Sequence, residues 1–174
     1  MFNLSTPTYS AWIKTTQTGI QYIIDHDVYY GGSLILSNGA LEFNHSGATT
    51  TAITSTKVND GTWHFVAMTF DGAYVRLYID GALQGTFYGP SLGFLSFEDL
   101  YIGERGNNGN FFNGSIDDVR IYNRALSSSE ITALYNGQLS YYQAVPTIQP
   151  AQNLASVGAV VQSILMDLES LLGM

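Results

Sequence analysis

Chemistry on a polysaccharide needs two carboxyl groups flanking the scissile bond, one as acid and one as nucleophile or base. In this chain of 174 residues the nearest acidic groupings are Glu98 and Asp99 with Glu104, and Asp117 with Asp118. Neither repeats at every second position, the spacing that would aim several carboxylates from one strand into one cleft. No catalytic residue is assigned, and turnover is not expected. His26, His45 and His64 are scattered, which argues against a shared metal. His64, next to Trp63 in a strand-like run, is expected to hydrogen-bond within a sheet. There is no cysteine, so thiolate nucleophiles, disulfides and Cys-ligated zinc are excluded.

Two segments carry groups suited to binding. Residues 25–32, DHDVYYGG, set Asp25 and Asp27 beside Tyr29 and Tyr30. Residues 103–114, GERGNNGNFFNG, set Asn107, Asn108 and Asn110 beside Phe111 and Phe112. Stacking on a ring face, with bidentate hydrogen bonds from amides and carboxylates, is the chemistry of sugar recognition. The competing reading is that these are simply good turns whose phenylalanines cap a core. Trp12 and Trp63 fall inside strand-like runs and are expected in the core.

The elements that must position these groups follow from composition and patterning. Apolar residues make up 45% and charged residues 11%, with 18 Gly and 12 Tyr. That balance fits an all-β protein with covered sheets and tight turns. The formal net charge of −8 repels phosphate backbones and anionic membrane surfaces, so nucleic acid is not an expected partner. The first residues lack the basic start and apolar run of a leader, and no apolar run is long enough to span a membrane.

Strands are predicted over residues 9–14, 21–25, 33–37, 40–44, 62–70, 74–80, 82–88, 100–103 and 116–122. Asn38-Gly39, Asp71-Gly72 and Asp80-Gly81 are strong hairpin signals. The run 62–70 is apolar at both alternating sets of positions, as a strand covered on both faces must be. In residues 74–80 the alternation puts Val75, Leu77 and Ile79 in the core, with Trp63, Phe65, Val119 and Ile121 also expected there. Ser127 and Glu130 have capping-box spacing, which predicts a short helix over residues 127–135 stopped by Gly137.

Three ordered motifs carry a resemblance. Asp60-Gly61-Thr62-Trp63-His64 is followed by Phe70-Asp71-Gly72 and by Leu77-Tyr78-Ile79-Asp80-Gly81. Residues 114–127, GSIDDVRIYNRALS, then close the pattern, with Glu130-Ile131 and Leu134-Tyr135 beyond. Residues 9–136 thus resemble the laminin-G-like, concanavalin A-like lectin/glucanase superfamily. The resemblance implies a jelly roll, two antiparallel sheets packed face to face. It also implies calcium as a candidate cofactor, since many relatives bind it through loop carboxylates and carbonyls. Asp25, Asp27, Glu104 and Asp117 are the candidate metal ligands. Family members usually carry a further N-terminal strand that this chain lacks, which predicts a bare sheet edge.

Residues 137–153 read as an extended linker, and residues 154–174 as an amphipathic helix. Leu154, Val157, Val161, Ile164, Leu168 and Leu171 follow the alternating three-and-four spacing of a helical seam. A homo-oligomer through residues 154–172 is expected, or else docking of the tail across the bare edge. The leading expectation for function is a non-catalytic module that binds a glycan or a surface. The alternative is a structural subunit of a virion, fibre or cell-surface assembly with the tail as connector. A glycosidase is disfavoured. Either favoured reading places the chain outside the cell, on its surface or in a virion.

Overall fold

The computed structural model describes residues 5–26, 32–45, 52–89, 99–105 and 110–138. The chain divides into two units, Met1–Leu139 and Ser140–Met174. The tail helix, and the linker beyond Gln138, therefore lie outside the described residues, as does any role they have in assembly.

β6 (His64–Phe70) is buried at every position from Phe65 to Phe70. One of its faces supplies Val66, Met68 and Phe70 to the main core, and the other supplies Phe65 and Ala67 to a second cluster. Both faces are covered, as its sequence requires. It is the central strand of a sheet ordered β10-β1-β6-β7-β8, with β1 (Thr8–Lys14), β7 (Tyr74–Ile79), β8 (Ala82–Tyr88) and β10 (Ser115–Tyr122). The facing sheet is ordered β5-β4-β3-β2-β9, with β2 (Ile20–His26), β3 (Gly32–Ser37), β4 (Ala40–His45), β5 (Ala52–Lys57) and β9 (Leu100–Ile102). All described ladders are antiparallel. This is the expected jelly-roll sandwich. Val75, Leu77 and Ile79 are buried between the sheets, which confirms the meander register.

The second cluster is made by α1 (Ser128–Tyr135), which lays Ile131 and Leu134 on the outer face of the first sheet. Tyr135 stacks on Trp12 with centroids 5.7 Å apart. The capping box is formed as its spacing predicts: Ser127 accepts from the Glu130 amide, and Glu130 accepts from the Ser127 amide. Arg124 adds a bidentate pair to the Glu130 carboxylate at 3.0 and 2.7 Å. These bonds hold Glu130 down at about 2, so the stability they lend is full above the ordinary carboxylate range and is lost progressively as pH falls from there through about 2. Thr8 ties the same corner to β1, donating to the Arg124 carbonyl and accepting from the Leu126 amide.

The family motif is structural. Asp80 and Gly81 take positive φ angles of 50° and 76°, the geometry of a type I′ hairpin turn. From that turn Asp80 reaches back to β6, with Oδ1 accepting from the Phe65 amide at 2.9 Å and Oδ2 at 2.8 Å from His64 Nδ1. The opposite ring nitrogen of His64 meets Asp60 at 3.3 Å. Burial alone would lower the pKa of His64. Asp80 and Asp60 outweigh it and raise the value above the ordinary 6.5.

Three features depart from the sequence expectations. Trp63 is 43% exposed, because it sits in the bend just before β6 rather than in its pleat. Val119 and Ile121 pack against the core but are only partly buried, since β10 is a sheet edge. Strand β5 was not anticipated. Its inward positions are small (Ala52 and Thr54), and its one large apolar residue, Ile53, faces out at 44% exposure.

Two outcomes follow. Leu77→Ala should lower unfolding free energy by about 2–5 kcal/mol in a denaturant titration. Asp80→Asn keeps the acceptor for Phe65 and removes the charge beside His64. A raised histidine pKa stabilises fully below its unfolded value and loses that contribution as pH rises through its folded value. The gap in melting temperature between wild type and Asp80→Asn should therefore narrow from about pH 6 to about pH 8.

Candidate functional site

In the second sheet, Leu34, Leu36, Leu41 and Phe43 face the core. Pleat alternation then turns Ser33, Ile35, Glu42 and Asn44 outward. On β2 the register shifts between Tyr22 and Ile24. Tyr22 pairs with Ile35, Ile24 with Leu34 and Asp25 with Ser33. Residues three apart on a regular strand point to opposite faces, so Tyr22 and Asp25 would be separated. The bulge at Ile23 sends Ile23 and Ile24 both into the core and brings Tyr22 and Asp25 onto one outer face.

Across that face Ile53, Glu42, Ile35 and Tyr22 line up in one row, and Asn44, Ser33, Asp25 and Tyr101 in the next. Ser33 donates from Oγ to the Asp25 carboxylate. Asp25 itself is buried. Burial raises the pKa of the Glu42 carboxyl, against the pull of a Ser37 hydrogen bond. The Tyr22 phenol is raised by burial and by Asp25 and Glu42, while Arg105 opposes them. The Arg105 guanidinium lies 5.6 Å from the centre of the Tyr22 ring. Tyr101 is raised by desolvation and by Asp99, Glu104 and Asp25, which places those three carboxylates in one field.

The segment after β9 closes this corner. Gly103, at φ 77°, donates to the Ile23 carbonyl at 3.0 Å and accepts from the Phe112 amide at 2.8 Å. Asn110, also at positive φ, accepts from the Tyr22 amide at 3.3 Å. The Asn113 amide donates to Gln21 Oε1 at 3.1 Å. The segment thus returns alongside β2 with Asn110 and Phe111 at the rim, and Phe111 is 65% exposed.

Of the residues singled out from sequence, Asp25 and Glu104 both act on the Tyr101 phenol, while Asn110 is held by the Tyr22 amide with Phe111 next to it in the chain. Phe112 does not join them at the surface. It packs against the core, the competing reading realised for one of the two phenylalanines. Asp117 lies in the other sheet, on β10 opposite Trp12, where its carboxylate accepts from the Asp118 amide at 2.8 Å. Among the described residues no three Asp, Glu or His side chains gather as a metal site. Asp27, Tyr29, Tyr30, Asn107 and Asn108 lie outside the described residues. Sequence reasoning missed Tyr22, Ser33, Glu42, Tyr101 and Arg105. Arg105 had a signal, being the one cation in its segment; the others depend on a bulge and a ladder that no local pattern announces.

A laminin-G-type family model, described as the concanavalin A-like lectin/glucanases superfamily, matches residues 1–132. The chain belongs to the concanavalin A-like superfamily. Solved structures agree with the fold. A candidate carbohydrate binding protein from Bacteroides ovatus superposes with a TM-score of 0.65 at 20% identity, covering 74% of this chain and 40% of that one. A botulinum neurotoxin type C structure, described as entering cells through interaction with two ganglioside molecules, gives 0.59 at 20% identity, covering 78% and 36%. The CBM40 of the Ruminococcus gnavus IT-sialidase, bound to α2,3 sialyllactose, gives 0.64 at 21% identity, covering 76% and 83%. The chain spans less than two thirds of the first two structures. A search of curated proteins finds no match. Among the described residues no helix is long and apolar enough to cross a membrane.

Proposed function

We propose that this protein is a non-catalytic carbohydrate-binding module whose ligand sits at the rim where β2, β9, residues 103–105 and residues 110–112 meet. The observation that carries the proposal is the exposed Phe111 ring, next in the chain to Asn110, whose carbonyl accepts from the amide of Tyr22, the residue whose ring the Arg105 guanidinium packs against. An open aromatic face offers stacking to the C–H face of a sugar, and the surrounding amide, carboxylate, guanidinium and phenol groups offer hydrogen bonds to its hydroxyls. A fold shared with proteins described as binding sialyllactose and gangliosides supports this reading. Asp25 does not resemble a glycosidase acid poised at a cleft, being buried and bonded to Ser33.

Full-length protein on a glycan array, followed by calorimetry with the best binders, tests this directly. Phe111→Ala and Arg105→Ala should each weaken binding by about tenfold. Phe111→Ala should leave the melting temperature nearly unchanged, because the side chain is a surface one. No binding across the array, or wild-type affinity in both variants, overturns the proposal. Binding should also survive chelation of divalent ions, since Asp25 is engaged by Ser33 and Asp117 by a backbone amide. Loss of binding in EDTA, restored by millimolar calcium together with a raised melting temperature, would instead show that a cation mediates recognition.

A further inference from the structure

Among the described residues, α1 covers the outer face of the first sheet over Trp12, Phe65 and Tyr78, but not at the end where Tyr74 pairs with Tyr88. There Tyr74 and Tyr88 stand directly opposite each other across the ladder. They are 42% and 61% exposed. Their ring centroids lie 5.7 Å apart at 62°, an edge-to-face contact. The Arg76 guanidinium lies 5.8 Å from the centre of the Tyr74 ring. Arg76 is in turn held by Asp71 at 2.6 Å, and the other Asp71 oxygen accepts from the Ala73 and Tyr74 amides. The turn thus fixes Asp71, Asp71 fixes Arg76, Arg76 packs on Tyr74, and Tyr74 supports Tyr88. Groups already held in place lose little freedom when a ligand arrives.

A cross-strand aromatic pair also helps hold an edge strand, and this one does so. That role does not require the rings to remain open to water. We propose that Tyr74, Tyr88 and Arg76 form a second carbohydrate-binding platform, selective for an uncharged pyranose ring. The inference rests on the glycan-binding reading above and places a separate subsite on the opposite sheet. The ring faces match the apolar face of a sugar. Arg76, the two phenols and Thr86, which pairs with Arg76 across the ladder, offer hydrogen bonds to hydroxyls. Arg76 and Asp71 neutralise each other, so this pair favours an uncharged ligand over an anion. Two rings span one or two sugar units. A stable protein partner would need about 800 Å² on each side.

The test uses full-length protein with three neutral probes, cellohexaose, xylohexaose and mannohexaose, read by aromatic NMR and calorimetry. At least one probe should shift the Tyr74 and Tyr88 ring signals. Tyr88→Ala should weaken that binding by about tenfold, while Tyr88→Phe keeps the stacking face and stays within about twofold. Melting curves check that both variants remain folded, and Thr86→Val gives a second, milder probe of the same surface. The shifts should persist in Phe111→Ala, since the two sites are separate. If no probe shifts either ring, or if Tyr88→Ala binds as wild type, the platform is wrong while the rim site stands on its own array result. If Tyr88→Ala instead turns a dimer into a monomer by light scattering, the surface serves a second copy and the inference fails.

Discussion

Everything in the sandwich is arranged around one strand that has no wet side. β6 needs apolar cover above and below. The facing sheet supplies one cover and α1 the other. The helix is short, and a lone helix of eight residues has little stability of its own. It exists because Ile131 and Leu134 are drawn onto Phe65, Ala67 and Tyr78, and because the Ser127–Glu130–Arg124 bonds satisfy its first turn. The His64–Asp80 contact pins the start of β6 to the turn beyond β7. Motif, helix and central strand are therefore one mechanical unit, so the family signature is spent on architecture and not on a ligand.

That division of labour leaves the other sheet free to vary. On its outer face one inserted residue, Ile23, decides which side chains of β2 appear together. Without the bulge, Tyr22 and Asp25 could not share a face. With it, Arg105 gains an aromatic partner, Asp25 gains Ser33, and the strand edge turns toward the returning segment at Asn110. A bulge twists and bends its strand locally, and this one lies next to Tyr22, whose amide holds the Asn110 carbonyl.

Much of the fold was legible in the sequence because its signals are local. Asn38-Gly39 and Asp80-Gly81 fix turns by backbone conformation, β7 declares its face by alternation, and the capping box announces α1. Trp63 misled because tryptophan in an apolar run reads as core, whereas one residue of offset from β6 puts it in a bend. β5 escaped because its burial rests on Ala52 and Thr54, which carry little apolar signal. The rim was half legible. Residue types in 103–114 point to Asn110 and Phe111, but Tyr22, Glu42 and Tyr101 join them only through cross-strand register, a property of pairs and not of any segment.

The pairing of β1 with β10 has a consequence for biosynthesis. β1 is made well before β10, and β6 can shield only one of its edges. Its other edge waits for Ser115–Tyr122, and the Thr8 hydroxyl waits longer still for Arg124 and Leu126. Throughout that interval a hydrophobic strand with open backbone donors and acceptors is presented to every neighbouring nascent chain. A sandwich whose first described strand pairs with its last is thus exposed to chaperones, and to misassembly, for as long as β10 is still to be made, and becomes safe from them only once β10 zips into place.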